Sequence, residues 1–214
     1  MISTILLGTT NRKKIVEMRP LIEPLGYSLV DLSAMPTYDA VDETGEDFIE
    51  NARIKAITYA TRYGTWAIGE DSGLCVPVLG GAPGIYSARF ASLTENVDPA
   101  FTQKTTSLTQ DEANNALLLE RLADVEAADR SAYYVSTIVL ASPEGNSVIE
   151  AAGACWGRII STARGVGGFG YDPLFEVVEY HKTFAELGTR VKSVLSHRGR
   201  AIAKFLRLLR NFKD

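Results

Sequence analysis

Ser3-Thr4-Ile5-Leu6-Leu7-Gly8-Thr9-Thr10-Asn11-Arg12-Lys13-Lys14 is a hand-over from one kind of secondary structure to another. Ser3 to Gly8 reads as a buried strand built around the apolar run Ile5 to Leu7. Thr9-Thr10-Asn11 are small polar residues suited to a tight turn and a helix N-cap, and a helix is expected to follow toward Gly26. Pro20 and Pro24 lack an amide donor and crowd the preceding turn, so that helix is expected to kink or fray early.

Outward from this segment the chain keeps alternating. Ser28 to Leu32 reads as a second strand. Thr44-Gly45-Glu46-Asp47 leads into a helix with Phe48, Ala52, Ile54, Ala56 and Ala60 at helical spacing, closed by Gly64. Trp66 to Ile68 reads as a short strand that stops at Gly69-Glu70-Asp71-Ser72-Gly73. Leu74 to Leu79 then resumes an extended pattern before the turn Gly80-Gly81-Ala82-Pro83-Gly84. Ser92 to Asp111 is polar, Thr-rich and aperiodic, and reads as a surface loop or lid; Glu112 to Leu122 reads as a helix. Ala132 to Ala141 and Ser147 to Trp156, joined through Pro143-Glu144-Gly145-Asn146, make a long hairpin rich in β-branched and aromatic residues. Gly165 to Asp172 is a glycine-rich loop, and Ser196 to Phe212 an amphipathic basic helix. No repeat or linker divides the chain, so residues 1–214 are assigned to one α/β domain.

The chain has 214 residues, 46% hydrophobic and 22% charged, which is enough to bury a core without disulfide or metal staples. A net charge of -4 repels a polyanion as a whole, so duplex nucleic acid is not the expected partner. Cys75 and Cys155 lie far apart with no Cys or His at metal-ligand spacing, and read as buried thiols in a reducing compartment. The apolar run at the start precedes the basic Arg12-Lys13-Lys14, the reverse of a secretory signal, and no stretch approaches the roughly twenty apolar residues of a membrane span. The cytoplasm is the expected compartment, with no membrane partner.

Four segments carry candidate chemistry. Gly8 to Lys14 places a helix N-terminus beside lysines, which suits a triphosphate, although the Gly-x-x-x-x-Gly-Lys-Ser/Thr spacing of a P-loop is absent; an ordinary capped helix with exposed basic residues is the alternative. Asp42-Glu43 and Glu70-Asp71 are carboxylates beside small residues. They fit magnesium, which takes one or two protein carboxylates plus phosphate oxygens and water, or else a helix-dipole partner and a turn. Gly167-Gly168-Phe169-Gly170-Tyr171-Asp172-Pro173 puts two aromatic rings and a carboxylate on a flexible loop, either to stack on a purine or to anchor the loop in the core. Lys192 and Ser196-His197-Arg198-Gly199 gather donors near the start of the last helix, where an oxyanion or a base carbonyl would use them. Lys55 lies on the second helix, where a solvated face is the plainer reading.

Taken in this order, these segments resemble the Ham1 family of inosine triphosphate pyrophosphatases. The residues that carry the resemblance are Thr10 to Lys14, Glu43-Thr44-Gly45 with Phe48 to Ala52 and Lys55, Asp71-Ser72-Gly73-Leu74, Leu79 to Arg89, Gly167 to Pro173, and Lys192 with Ser196 to Gly199. The resemblance implies an α/β fold with a long central mixed sheet flanked by helices, two lobes around a nucleotide cleft, and a homodimer. It implies cleavage of non-standard purine nucleoside triphosphates, those of inosine, deoxyinosine and xanthosine, to the monophosphate and pyrophosphate, with Mg2+ as cofactor. Thr9, Thr10, Asn11, Arg12, Lys13 and Lys14 would cradle the triphosphate, with Lys14 as main cation and Lys55 assisting. Asp71 matches the proton acceptor and a metal ligand, Glu43 and Glu70 further carboxylates on the metal side, and Ser72 a substrate contact. Phe169 and Tyr171 match base-stacking positions, while Gly170, Asp172, Lys192, His197 and Arg198 match those around the purine and sugar.

Two features depart from the family pattern. Glu70 stands where an aspartate is usual and reaches one methylene further, and Ser92 to Asp111 is longer than the family leads one to expect. Three other readings are disfavoured: a Maf-type pyrophosphatase acting on pyrimidine or modified nucleotides by the Gly167–Asp172 and Ser196–Arg198 segments, a nucleotide sensor without turnover by the retention of Asp71, Glu43 and Lys14, and a single-strand nucleic-acid binder stacking bases on Phe169 and Tyr171 by the net charge of -4.

Overall fold

The computed structural model describes residues 2–35, 40–95 and 98–212. In chain order the principal elements are β1 (Thr4–Leu7), α1 (Arg12–Ile22), β2 (Ser28–Asp31), α2 (Phe48–Tyr63), β3 (Trp66–Cys75), α3 (Ser92–Glu95), α4 (Pro99–Thr105), α5 (Gln110–Arg121), β4 (Ser131–Ala141), β5 (Ser147–Ile159), β6 (Phe175–Val177), β7 (Lys182–Thr183), α6 (Phe184–Leu195) and α7 (His197–Asn211). The seven strands form a mixed sheet in the order β2-β1-β3-β4-β5-β6-β7. β1 runs parallel to both β2 and β3, whereas β6 is antiparallel to β5 and to β7. The chain divides into two compact units, one of Met1–Ser72, Ser136–Ala154 and His197–Asp214, the other of Gly73–Val135 and Cys155–Ser196.

In the first unit, β1 is buried on both faces, which is why it reads as an unbroken apolar run rather than an alternating one. Ile5 and Leu7 pack with Met18 and Ile22 of α1 and with Ile202, Phe205 and Leu209 of α7. Leu6, on the opposite face, packs with Ala52, Ala56, Tyr59 and Ala60 of α2. Each buried leucine, isoleucine, methionine and phenylalanine among them contributes about 1.5–3 kcal/mol on leaving water. α1 starts where Asn11 Oδ1 accepts from the Lys13 amide at 3.0 Å. Pro20 is accommodated inside it, and the helix tightens into a single 3-10 turn at Glu23–Leu25, around Pro24. α2 begins at Asp47, whose carboxylate accepts from the Glu50 amide, and ends at Gly64 as the sequence predicts.

β3 overturns the expected break at residues 69–73. It runs without interruption from Trp66 to Cys75, because the carboxylates at 70 and 71 find cations and therefore tolerate burial within a strand. Gly69 lets the strand lie against α2: a Cβ there would fall 2.1 Å from the Ala52 carbonyl oxygen. The extended pattern expected to Leu79 stops at Cys75, and Pro77–Leu79 forms one 3-10 turn.

In the second unit, the segment expected as a loop or lid from Ser92 to Asp111 is largely helical. Asp98 caps α4 by accepting from the Ala100 and Phe101 amides, and Phe101 is buried with Ala91, Ala113 and Leu117. One buried aromatic in a polar run gives too little periodicity to read; Asn96 and Val97 of that segment lie outside the described residues. α5 opens with a reciprocal box in which Thr109 and Glu112 each bond the other's backbone amide. β4 and β5 form the predicted hairpin, whose turn belongs to the first unit and is closed by a bond from the Ser142 amide to the Asn146 carbonyl. Tyr134, Phe175 and Phe184 fill the core between strands and α6, with ring centroids 4.8 Å (Tyr134–Phe175) and 4.9 Å (Phe175–Phe184) apart. Cys75 and Cys155 are free and buried, as expected.

Candidate active site

The first unit gathers charge where β1 ends and along the middle of β3. Beyond Leu7, the Gly8 amide donates to the Ile68 carbonyl at 2.8 Å, and Thr9 Oγ1 accepts from the Asn11 amide at 3.1 Å, so the turn is fixed at both sides. Thr10, Asn11, Arg12 and Lys13 are exposed on it, and Thr9 is half-buried. Thr9, Thr10, Lys14, Glu43, Lys55 and Glu70 line a cavity of about 210 Å³. The start of α1, with amides that lack intrahelical acceptors, thus lies beside a polar hollow.

Asp71 and Lys55 form the centre of the cluster. Lys55 Nζ lies 2.8 Å from Asp71 Oδ1 and 3.3 Å from Glu43 Oε1. Burial works against the ammonium charge, but the two carboxylates outweigh it and hold Lys55 above its ordinary value. Burial also dominates at Asp71, raising its carboxyl above the usual range; Lys55 opposes that rise and Glu43 adds to it. The directions agree physically, since Lys55 answers to two carboxylates while Asp71 answers mainly to one cation and a repelling neighbour. Asp71 Oδ2 is buried and has no hydrogen-bond partner among the described residues.

Glu70, expected as an accessory carboxylate on the metal side, is paired with cations. Its Oε2 lies 2.5 Å from Lys14 Nζ, and its Oε1 accepts from Ser136 Oγ at 2.8 Å and from Arg198 Nε at 3.1 Å. Burial alone would raise its pKa, but Arg198 and Lys14 prevail and hold the carboxyl well below the usual range. Glu70 is a filled counter-ion. With it engaged, Glu43, Glu70 and Asp71 do not converge as a three-ligand metal group among the described residues.

Arg198, on the first turn of α7, is held on three sides. Besides Glu70 it donates to Glu17 Oε2 at 2.5 Å and to Ser72 Oγ at 3.1 Å. His197 and Arg198, the donors expected at the start of the last helix, are both buried. Glu17 and Ser136 escaped the sequence reading. Glu17 lies three residues beyond Lys14 on α1, a spacing that puts both on one face, whereas Ser136 within the hairpin offers no signal.

The second unit holds the aromatic candidates. Gly168 (φ 79°) and Gly170 (φ 60°) adopt left-handed backbone on either side of Phe169. Asp172 Oδ2 accepts from the Phe169 amide at 2.8 Å and pairs with Lys192 Nζ at 2.5 Å; that ammonium lies 4.4 Å from the centroid of the Phe169 ring. Tyr171 corrects the expectation of two stacking rings. It is 2% exposed, packs with Leu74, Leu118 and Phe175, and donates its hydroxyl to the Ser87 carbonyl at 2.8 Å. Burial raises its pKa above the ordinary phenol value. Phe169, half-buried, is the ring left near the surface.

Comparison with known proteins converges on one group. The Ham1 family profile matches residues 5–208. A "dITP/XTP pyrophosphatase" of Rhodopirellula baltica is 43% identical over 202 residues, spanning 94% of this chain and 90% of that one. One from Desulforamulus reducens is 41% identical over 205 residues, spanning 96% and 94%. Among solved structures, a HAM1 protein from Coxiella burnetii aligns with a TM-score of 0.85 at 32% identity, covering 99% of this chain and 100% of its own. The Ham1 protein of Staphylococcus aureus aligns at 0.82 and 34% identity, with the same coverage.

Proposed function

The chain belongs to the Ham1 family, and from that premise we propose that it hydrolyses the triphosphates of inosine, deoxyinosine and xanthosine to the nucleoside monophosphate and pyrophosphate. The observation that supports this most directly is the Lys55–Asp71 pair, with one carboxylate oxygen on the cation and the other buried without a hydrogen bond. That arrangement leaves Asp71 an acceptor site beside a fixed positive charge. It suits a base that takes the proton of an attacking water, and its raised pKa improves its hold on that proton.

The turn of Thr9, Thr10, Asn11, Arg12 and Lys13 binds phosphate oxygens through its amides and side chains, with Lys14 and Lys55 supplying charge. Water attacks the α-phosphorus in line with the departing pyrophosphate. The cations of this cluster are largely compensated before a polyanion arrives, since Lys14, Lys55 and Arg198 pair with Glu17, Glu43, Glu70 and Asp71. Asp71 and Glu43 fit a magnesium ion, which takes few protein carboxylates and would supply positive charge against the leaving group. Glu70 does not fit that role, since both of its oxygens are engaged.

In the second unit, Phe169 stacks on the purine, and Lys192, steadied by Asp172, offers a donor to a 6-oxo group. A donor there rejects adenine, whose 6-amino group would leave two donors face to face. Gly170, Ser72, His197 and Arg198 complete the substrate set, with Arg198 acting from its fixed position. The same reading takes the protein as a cytoplasmic homodimer; Trp156, 59% exposed and 4.5 Å from the Tyr133 ring, is an aromatic pair suited to cover by a second copy.

The test is a panel. The protein with magnesium is given inosine, xanthosine, guanosine, adenosine and thymidine triphosphates separately, and pyrophosphate is measured against orthophosphate. Pyrophosphate is expected from the first two and not from adenosine or thymidine triphosphate, with kcat reduced by about 10²-fold or more in Asp71→Asn. Orthophosphate release, a pyrimidine preference, or full activity in the variant would overturn the assignment.

A further inference from the structure

The turn that carries Phe169 is gripped by a neighbouring helix at a single residue. The Gly170 amide donates to Asp111 Oδ2 at 2.9 Å, and the Gly170 carbonyl accepts from Asn115 Nδ2 at 3.0 Å. Asp111 and Asn115 lie four residues apart on α5, hence on one face of it. One helix face therefore satisfies both backbone polar groups of one glycine.

The grip matters because of what it restrains. Two left-handed glycines flank Phe169, and glycine backbone has the most freedom to lose on ordering. Within the turn, the Phe169 amide is tied to Asp172, whereas Gly170 is held from outside it, by α5. α5 can act as the fixed body. Its N-terminus is boxed by Thr109 and Glu112, and Asn114 Nδ2 donates to the carbonyls of Ser87 at 3.3 Å and Ala88 at 3.2 Å. Asn114 Oδ1 also accepts from the Ala91 amide at 2.8 Å. The Ser87 carbonyl in turn receives the Tyr171 hydroxyl, so the residue after Gly170 is moored to the same segment as α5.

We infer that Asp111 and Asn115 are positioning residues for purine recognition, which hold the Phe169 ring through Gly170 and so set the affinity for the base. The inference rests on the nucleotide reading above, and on Phe169 as the stacking ring. In this role both side chains act through the Gly170 backbone and not on the substrate itself. Their loss should weaken base binding while leaving the phosphate chemistry of the first unit as it was.

The experiment compares Asp111→Ala, Asn115→Ala and Asp111→Asn with the wild type. Hydrogen exchange over residues 165–172 is followed without nucleotide, and KM and kcat are measured for inosine triphosphate with magnesium. Inhibition by inosine monophosphate and by pyrophosphate is measured separately. Both alanine variants are expected to exchange faster at the turn and to raise KM about ten-fold, the worth of one hydrogen bond. Inhibition by the monophosphate should weaken alike, with kcat within about two-fold and pyrophosphate inhibition unchanged. Asp111→Asn keeps an acceptor oxygen and should stay close to wild type. Faster exchange with unchanged KM, unchanged exchange, or a parallel loss of kcat and pyrophosphate inhibition would each overturn the inference. A wild type that turns over no purine triphosphate would remove the parent reading and this inference with it, while the exchange data would still report whether the clamp holds.

Discussion

Glu70 shows how neighbours rather than identity decide what a carboxylate does. Read from sequence, it stands beside Asp71 among glycines and serine, and the pair looks like two ligands for one ion. In the structure, Arg198, Lys14 and Ser136 surround it, and its pKa is driven far down because two cations outweigh its burial. Replacement by Gln keeps the shape but leaves Arg198 and Lys14 short of counter-charge, and breaking a buried pair in this way costs about 3–5 kcal/mol. Urea unfolding of Glu70→Gln at pH 7 should report that loss. Because Glu70 is a counter-ion, the magnesium concentration that gives half-maximal residual activity should stay near the wild-type value. A shift of about ten-fold or more would return Glu70 to the metal. No local pattern could have revealed this, since Ser136 and Arg198 are distant in sequence and only the fold brings them to Glu70.

At the scale of elements, legibility followed periodicity. β1, α1, α2, the β4–β5 hairpin and α7 each carry either a repeating apolar face or strong capping and turn residues, and each stands where the sequence puts it. β3 did not, because its middle is polar and contains glycine, and the partners that permit burial lie on α1, α2 and α7. α3 and α4 hide in a polar run with one buried aromatic, and β6, β7 and α6 are too short or too kinked at Gly188 to announce themselves. The candidate site divides in the same way: its residue types were legible, and so was a core anchor as one reading of the loop aromatics, but which ring turns inward and the pairing of Glu70 were not. The contact between β3 and α2 carries a prediction of its own. A Cβ on Gly69 would meet the Ala52 oxygen at 2.1 Å and the Ala56 nitrogen at 2.6 Å, both backbone atoms that cannot swing aside. Gly69→Ala must therefore push α2 away from β3, stretching Lys55 from Asp71. The expected result is a loss of about 1–3 kcal/mol in unfolding free energy, with a fall in kcat larger than the change in KM. Wild-type stability and turnover in this variant would show that the close approach is not required.

For the whole molecule, the charge network sets how stability responds to acid. Asp31, Glu70, Glu150 and Glu176 all have pKa values lowered in the folded state, by a hydrogen bond from Ser33 at Asp31 and from Arg53 at Glu150, and by arginine partners that outweigh burial at Glu176. A carboxyl depressed on folding contributes stability that is present above its unfolded value and is lost as pH falls through its folded value. Asp71 works in the opposite sense: its raised pKa costs stability near neutrality, and the cost is relieved as the group protonates. The depressed groups outnumber it, and Glu70, buried between Lys14 and Arg198, is among those least screened by solvent. Stability should therefore be flat around neutrality and decline below about pH 4.5, the unfolded carboxylate value. Glu70→Gln sharpens the test, because a glutamine cannot titrate. Its deficit against wild type should be full at pH 6 and shrink as pH drops below about 4.5, where the wild-type unfolded state takes up a proton that the variant never can. Chemical unfolding at pH 6, 5, 4 and 3 reads this directly, and a deficit that stays constant across the series would mean that Glu70 is not held ionised by Lys14 and Arg198.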